Sequence, residues 1–98
     1  MCGATQGGLS VQGIDVTKEA VIQGRVLRSG QPVSGAYVRL LDSTGEFTAE
    51  VPTSATGHFR FFAGNGEWTL RTLAPAAETV DRKVDAAVGS VAEVTISL

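Results

Sequence analysis

The sequence has a single cysteine, a single histidine and no long apolar run, and each scarcity excludes a class of protein. Cys2 alone cannot form an internal disulfide, on which small exported domains often depend. His58 alone excludes multi-histidine metal sites and most catalytic triads. No apolar run approaches the ~20 residues that cross a bilayer, and the first residues lack the pattern of a secretory signal. We therefore expect a cytoplasmic protein with no metal, no cofactor and no membrane contact.

An excess of either charge is also missing. Lys and Arg total 8 and Asp and Glu total 10, so the net charge is -2. Nucleic-acid and anionic-membrane binders usually carry a clear basic excess, and we expect neither partner here. With 98 residues, of which 43% are hydrophobic and 18% charged, the chain has the composition of one globular domain.

The chain divides into a glycine-rich beginning and a patterned remainder. Residues 1–18 contain four glycines and no sustained apolar period, which predicts a flexible tail that carries Cys2. Residues 19–98 show short alternating runs separated by turn residues, which is typical of strands in one β-domain. Asn65-Gly66 is the strongest hairpin signal, because this pair suits a type I′ turn. The runs are AVIQGRVL, AYVRLLD, EFTAEVPT, HFRFFA, EWTLRTL, ETVDRKVDA and VAEVTISL.

These runs predict an all-β fold, a seven-stranded antiparallel β-sandwich of immunoglobulin-like or prealbumin-like type. Two half-apolar sheets must cover each other, and turns recur every eight to twelve residues. Alternation within the strands predicts which side chains point into the core and which, such as Phe62, point outward. Phe62 is then either partner surface or covered by the tail. The residues predicted to face inward include Val38, Leu40, Phe47, Phe59, Phe61 and Trp68.

Three segments carry a family resemblance. They are the MCGA start, VIQGRV, and the run GAYVRLLDSTGEFTAEVPTSATGHFRFFAGNGEWTLRTL. Together they resemble the actinobacterial SseC family of small proteins, whose genes commonly lie beside a thiosulfate sulfurtransferase. The resemblance implies a role in sulfur metabolism with that enzyme as partner. A wider pattern, GxV, then GAxVxL, then TxxGxFxF, is similar to carboxypeptidase regulatory-like and transthyretin-like sandwiches, and implies only a fold.

Cys2 is the one candidate reactive group. A thiolate in an unhindered tail has the access that attack on sulfane sulfur requires. If Met1 is removed, the terminal ammonium next to the thiol favours the thiolate. The competing interpretation is an inert residue in a tail that tolerates any side chain. The chemistry of the residue alone favours the inert interpretation. When the link of the SseC family to sulfur metabolism is added, the two interpretations become equally supported.

A second candidate comes from strand parity. Arg25, Arg39, Arg60 and Arg71 all alternate with core residues of their own strands. If these four strands share one sheet, as in an immunoglobulin-like arrangement, the arginines form one outer face that suits an anion or an acidic partner. Ordinary surface pairs with neighbouring acids are the simpler interpretation. His58 follows a turn glycine and is interpreted as a surface turn residue.

Three functions remain open from the sequence. The first is an accessory protein of a thiosulfate sulfurtransferase, which accepts sulfur on Cys2 or stabilises that enzyme. The second is a non-catalytic module that binds a protein or a ligand and has no use for Cys2. The third, an independent thiol enzyme, is disfavoured because no fixed base accompanies the thiol.

Overall fold

The computed structural model of the protein describes residues 19–75 and 77–98. The predicted tail, with Cys2, lies outside the described residues. The described part forms eight strands. They are β1 (Ala20–Arg28), β2 (Gln31–Pro32), β3 (Tyr37–Leu41), β4 (Phe47–Pro52), β5 (His58–Ala63), β6 (Gly66–Leu73), β7 (Val80–Ala86) and β8 (Val91–Ser97).

The strands form two four-stranded sheets. In sheet A, β1 is central, with β8 along one edge and both β5 and β2 along the other. In sheet B the order is β4-β3-β6-β7. Apolar side chains of both sheets meet in one buried cluster, so the predicted all-β sandwich is confirmed. None of the described residues belongs to a helix that is long and apolar enough to cross a membrane.

Two details differ from the seven-stranded antiparallel prediction. The additional strand β2 lies in the segment SGQPVSG, which the sequence marks as a turn. It pairs with β1 through a tight turn at Ser29 and Gly30, whose φ angles of 51° and 79° suit a two-residue hairpin. The pairing of β1 with β8 is parallel, whereas the other strand pairs are antiparallel. The chain therefore returns to sheet A with its last strand running alongside its first.

The core is confirmed on β3 and β5, where Val38, Leu40, Phe59 and Phe61 are all buried. The prediction that Trp68 faces inward and is buried is wrong in part, because the ring faces the core but is only half-buried. The hairpin predicted at Asn65-Gly66 does not form, because β5 pairs with β1 in sheet A whereas β6 pairs with β3 and β7 in sheet B. Trp68 lies just after this connection between the two sheets, where its ring packs on the core only in part and donates a 3.0 Å hydrogen bond from Nε1 to the Gly64 carbonyl. The end of a sandwich has fewer neighbours to cover a large ring.

The inward prediction for Phe47 is also wrong, because its side chain is 60% exposed. The register between β3 and β4 shifts at Leu40 and Leu41. Leu40 lies opposite Ala49, whereas Leu41 lies opposite Phe47, so Thr48 is an extra residue. Such a bulge reverses the alternation beyond it, and Phe47 turns to the outside.

Candidate binding face

The predicted single face of four arginines is wrong. Arg25 and Arg60 lie on β1 and β5 of sheet A, whereas Arg39 and Arg71 lie on β3 and β6 of sheet B. All four alternate with buried residues of their strands, so each pair lies on the outer side of its own sheet. The outer sides of two packed sheets face opposite directions. The structure thus divides the candidate site into two pairs.

The two arginines of sheet B form ion pairs with acidic residues on neighbouring strands. Arg39 Nε donates to Glu50 Oε1 at 2.6 Å, and Arg71 donates to both carboxylate oxygens of Asp81 at 2.9 and 3.0 Å. Each acid lies directly opposite its arginine in the register. The hydrogen bonds from Arg71 lower the pKa of Asp81, and the same bonds raise the pKa of Arg71. Arg39 and Arg71 therefore form ordinary exposed ion pairs with neighbouring acids, which is the simpler of the two interpretations offered by the sequence.

Sheet A holds a polar row across its outer side. Gln23 Nε2 donates to Glu93 on β8 at 2.7 Å, and Arg60 Nε donates to Gln23 Oε1 at 2.9 Å. The buried Gln23 side chain lies between Glu93 and Arg60 and hydrogen-bonds to both, so the carboxylate and the guanidinium do not contact each other directly. Burial lowers the pKa of Arg60, and the charge of Glu93 opposes that effect. Within the described part of the chain, Arg60 Nη2 is buried without a hydrogen-bond partner.

Arg25 lies in the next row of sheet A, between Thr95 on β8 and His58 on β5. Its side chain is exposed, and the ion pairs formed among residues 19–75 and 77–98 do not include it.

His58 is half-buried, and its Nδ1 lies 2.8 Å from Thr56 Oγ1 within the turn before β5. His58 is the first residue of β5 rather than a turn residue, and a hydrogen bond ties its ring to the turn before the strand.

Phe62 completes this surface at the other side of Arg60. It points outward, as parity predicts, and is 53% exposed. We call the surface formed by Arg25, Arg60 and Phe62, together with Gln23 and Glu93, the sheet A face. It joins an exposed aromatic ring to two cationic side chains. Sequence reasoning identified each of these three residues but did not separate them from the paired arginines of sheet B, because pairing depends on the strand register.

Among the described residues, no group of three His, Cys, Asp or Glu side chains is arranged to hold a metal ion. The candidate nucleophile Cys2 lies outside the described residues, so its surroundings are not part of the structural description. What the described part presents is a small β-sandwich whose sheet A face carries exposed Arg25 and Phe62.

The fold defines an all-β sandwich of two four-stranded sheets. The chain belongs to the family described as "Protein of unknown function (DUF1416)", whose profile matches residues 2–98. Two uncharacterized proteins of Mycobacterium tuberculosis, Rv0814c and Rv3118, are each 50% identical to it over 100 residues. Each match covers 100% of this chain and 99% of the relative.

Solved structures of other families share the fold. The major pilin subunit of Bacillus cereus superposes with a TM-score of 0.70 at 18% identity, over 82% of this chain and 28% of the pilin. A dioxygenase domain from Streptomyces sp. SirexAA-E superposes with a TM-score of 0.64 at 11% identity, over 90% of this chain and 84% of that domain. At such identities the similarity shows the β-sandwich alone.

Proposed function

We propose that this protein is an accessory protein of sulfur metabolism that docks on a thiosulfate sulfurtransferase through the sheet A face. Cys2 would then receive sulfane sulfur from that enzyme. The proposed partner rests on the resemblance to the SseC family. The docking surface rests on one contrast, namely that the arginines of sheet B are paired with acids while Arg25 of sheet A is exposed beside no described acid partner.

The composition of the sheet A face supports a protein partner. Aromatic residues and arginine are enriched among the residues that contribute most to protein–protein affinity. Phe62 supplies an exposed ring, and Arg25 supplies a charge that an acidic group of the partner can pair. Gln23 and Glu93 hold Arg60 in place, so less side-chain freedom is lost on binding. The face is therefore partly preorganised.

The sulfur-transfer step would need only a thiolate on Cys2. The thiolate attacks the outer sulfur of the donor, a new S–S bond forms at Cys2, and the donor's S–S bond breaks. The leaving thiolate or sulfite keeps the electron pair of the broken bond, so no further oxidant is required. Because the attacking group needs access rather than a fixed pocket, a carrier of this kind does not require a catalytic site in the sandwich.

The docking proposal predicts a specific loss of binding. The Phe62→Ser, Arg25→Gln double variant should bind the immobilised sulfurtransferase at least about tenfold more weakly, because truncated hot-spot residues typically cost 2 kcal/mol or more. The matched control is Arg39→Gln with Arg71→Gln, which removes two arginines from the opposite face. It should bind like the wild type. Equal binding by all three proteins would contradict docking through the sheet A face.

The carrier proposal predicts a change of mass. Incubation with thiosulfate and the sulfurtransferase should add the mass of one sulfur atom, which a thiol reductant removes. Cys2→Ser should fold and bind the enzyme normally but acquire no adduct. Equal labelling of wild type and variant would show that Cys2 is not the acceptor. If the proteins bind and the wild type is never labelled, the protein is a binding module in which Cys2 has no role.

A further inference from the structure

Exposed sheet edges are places where another strand can pair, and natural proteins usually protect them. The edges here are formed by β8 and by β5 with the two-residue β2 beside it in sheet A, and by β4 and β7 in sheet B. Charged Asp81 and Lys83 protect β7, and β4 ends in Pro52 beside a bulge. On β8, the Thr95 carbonyl accepts a 2.9 Å hydrogen bond from Arg82 Nη1 on β7. Three of the four edges thus carry a recognisable protection.

The outer edge of β5 differs from the other three. The Val26 amide donates to the Gly57 carbonyl at 2.8 Å, and along the antiparallel register Phe59 and Phe61 direct their backbone groups to β1 in the same way. His58 points the opposite way, and its carbonyl accepts from the Ser54 amide at 3.0 Å. The alternate residues of β5 beyond His58 therefore point their backbone groups away from β1.

Those residues are Arg60 and Phe62, which lie opposite Gln23 and Val21 of β1 at positions that do not exchange backbone hydrogen bonds with β1. None of the described strands lies on the other side of β5 to receive their backbone groups. The strand HFRFFA contains no proline, its Arg60 side chain is held on the outer side of sheet A by Gln23, and its exposed side chain is the Phe62 ring. After β5, a Cβ at Gly64 would meet none of the described atoms within 4 Å. A second strand can approach this edge.

We propose that the β5 edge pairs with the β5 edge of a second copy of this chain, antiparallel and across a two-fold axis at Phe61. In this register Arg60 lies opposite Phe62 of the partner subunit, and Phe62 lies opposite the partner's Arg60. Each such pair exchanges two backbone hydrogen bonds, and the guanidinium lies beside an aromatic ring in a cation–π contact. Sheet A of the two copies becomes one continuous sheet.

A second copy is favoured as the occupant because one register of two β5 edges places complementary side chains opposite each other. A two-fold axis at Phe61 places each cation opposite a ring, whereas an axis at Arg60 would place two like charges opposite each other, which is destabilising. The pairing is short, so the interface lies at the low end of the range for specific interfaces, which begins at about 1,200 Å² in total. The dimer is therefore concentration-dependent. This inference does not rest on the sulfurtransferase proposal.

Amide hydrogen exchange of the unmodified protein tests the pairing residue by residue. The amides of Arg60 and Phe62 should exchange at least about tenfold more slowly at high than at low protein concentration, because they are bonded only in the dimer. The internal controls are Phe59 and Phe61, whose amides bond to β1 and should be unaffected. Exchange of Arg60 and Phe62 that is fast at every concentration would show an open edge. Exchange that is slow at every concentration would show that the chain covers its own edge. Either result overturns the proposal.

A proline substitution tests the same bonds by sedimentation. Phe62→Pro removes an N–H that points to the second copy and costs no bond to β1, so it should remain a monomer at concentrations where the wild type dimerises. Phe62→Leu keeps the N–H and should still dimerise. Protection of the Phe59 and Phe61 amides checks that the proline variant is folded. If folded Phe62→Pro dimerises like the wild type, the pairing through β5 is wrong, and if it fails to fold, the exchange experiment decides.

Discussion

Replacing Gly24 with alanine is expected to destabilise the folded state strongly, although the change adds only one methyl group. Gly24 lies on β1, directly opposite Val94 of the parallel strand β8. A Cβ at Gly24 would overlap the carbonyl oxygen and carbon of Val94. These are backbone atoms, so the conflict is relieved only if β8 moves away from β1. We expect a loss of about 3 kcal/mol or more, out of the roughly 5–15 kcal/mol that stabilise such a domain.

Thermal unfolding followed by circular dichroism measures this effect. The matched control is Gly64→Ala, because a Cβ at Gly64 meets nothing within 4 Å. Gly64→Ala should melt close to the wild type, whereas Gly24→Ala should lack a cooperative transition or melt far below it. Similar melting of all three proteins would contradict the close approach of β8 to β1.

The second large effect is expected for Leu40→Ala in the centre of sheet B. Leu40 is 1% exposed and lies between Ala49 on β4 and Leu70 on β6. Truncation removes buried apolar surface and leaves a cavity between two sheets that cannot close around it. Such changes typically cost about 2–5 kcal/mol. The effect is large for a domain of 98 residues.

Denaturant unfolding compares Leu40→Ala with a control on the same strand. Tyr37 is a larger side chain on β3, but it points outward and is 50% exposed. Tyr37→Ala should therefore cost less than about 1 kcal/mol, as is usual for surface changes. If the tyrosine variant proves the less stable of the two, the assignment of the two sides of sheet B is wrong.

The local pattern of the sequence predicts the sides of most strands correctly. Val38 and Leu40 on β3, and Phe59 and Phe61 on β5, are buried as alternation requires. The exception is Phe47, which lies beyond a bulge. A bulge depends on how two strands pair, and alternation within one strand contains no information about its neighbour.

For the candidate site too, the sequence predicts the side of the sheet on which a residue lies but not the residue with which it pairs. Alternation places Arg25 and Arg71 on outer sides, and both are there. It does not predict that Arg71 meets Asp81, because these residues come together only when β6 pairs with β7. The sequence pattern therefore gives Arg25 and Arg71 the same outward position, and only the structure shows that Arg71 is paired with an acid whereas Arg25 is exposed.

The sequence by itself determined the fold class, the inward and outward sides of most strands, and the residue types available for chemistry. These follow from the pleat and from composition, which are local properties. Only the tertiary structure decided which strands share a sheet, and so which arginines share a face and which edge stays unpaired. The chain leaves sheet A after β2 and returns to it with β5 and β8. Such crossings depend on contacts between residues far apart in the chain, and no short stretch of sequence specifies them.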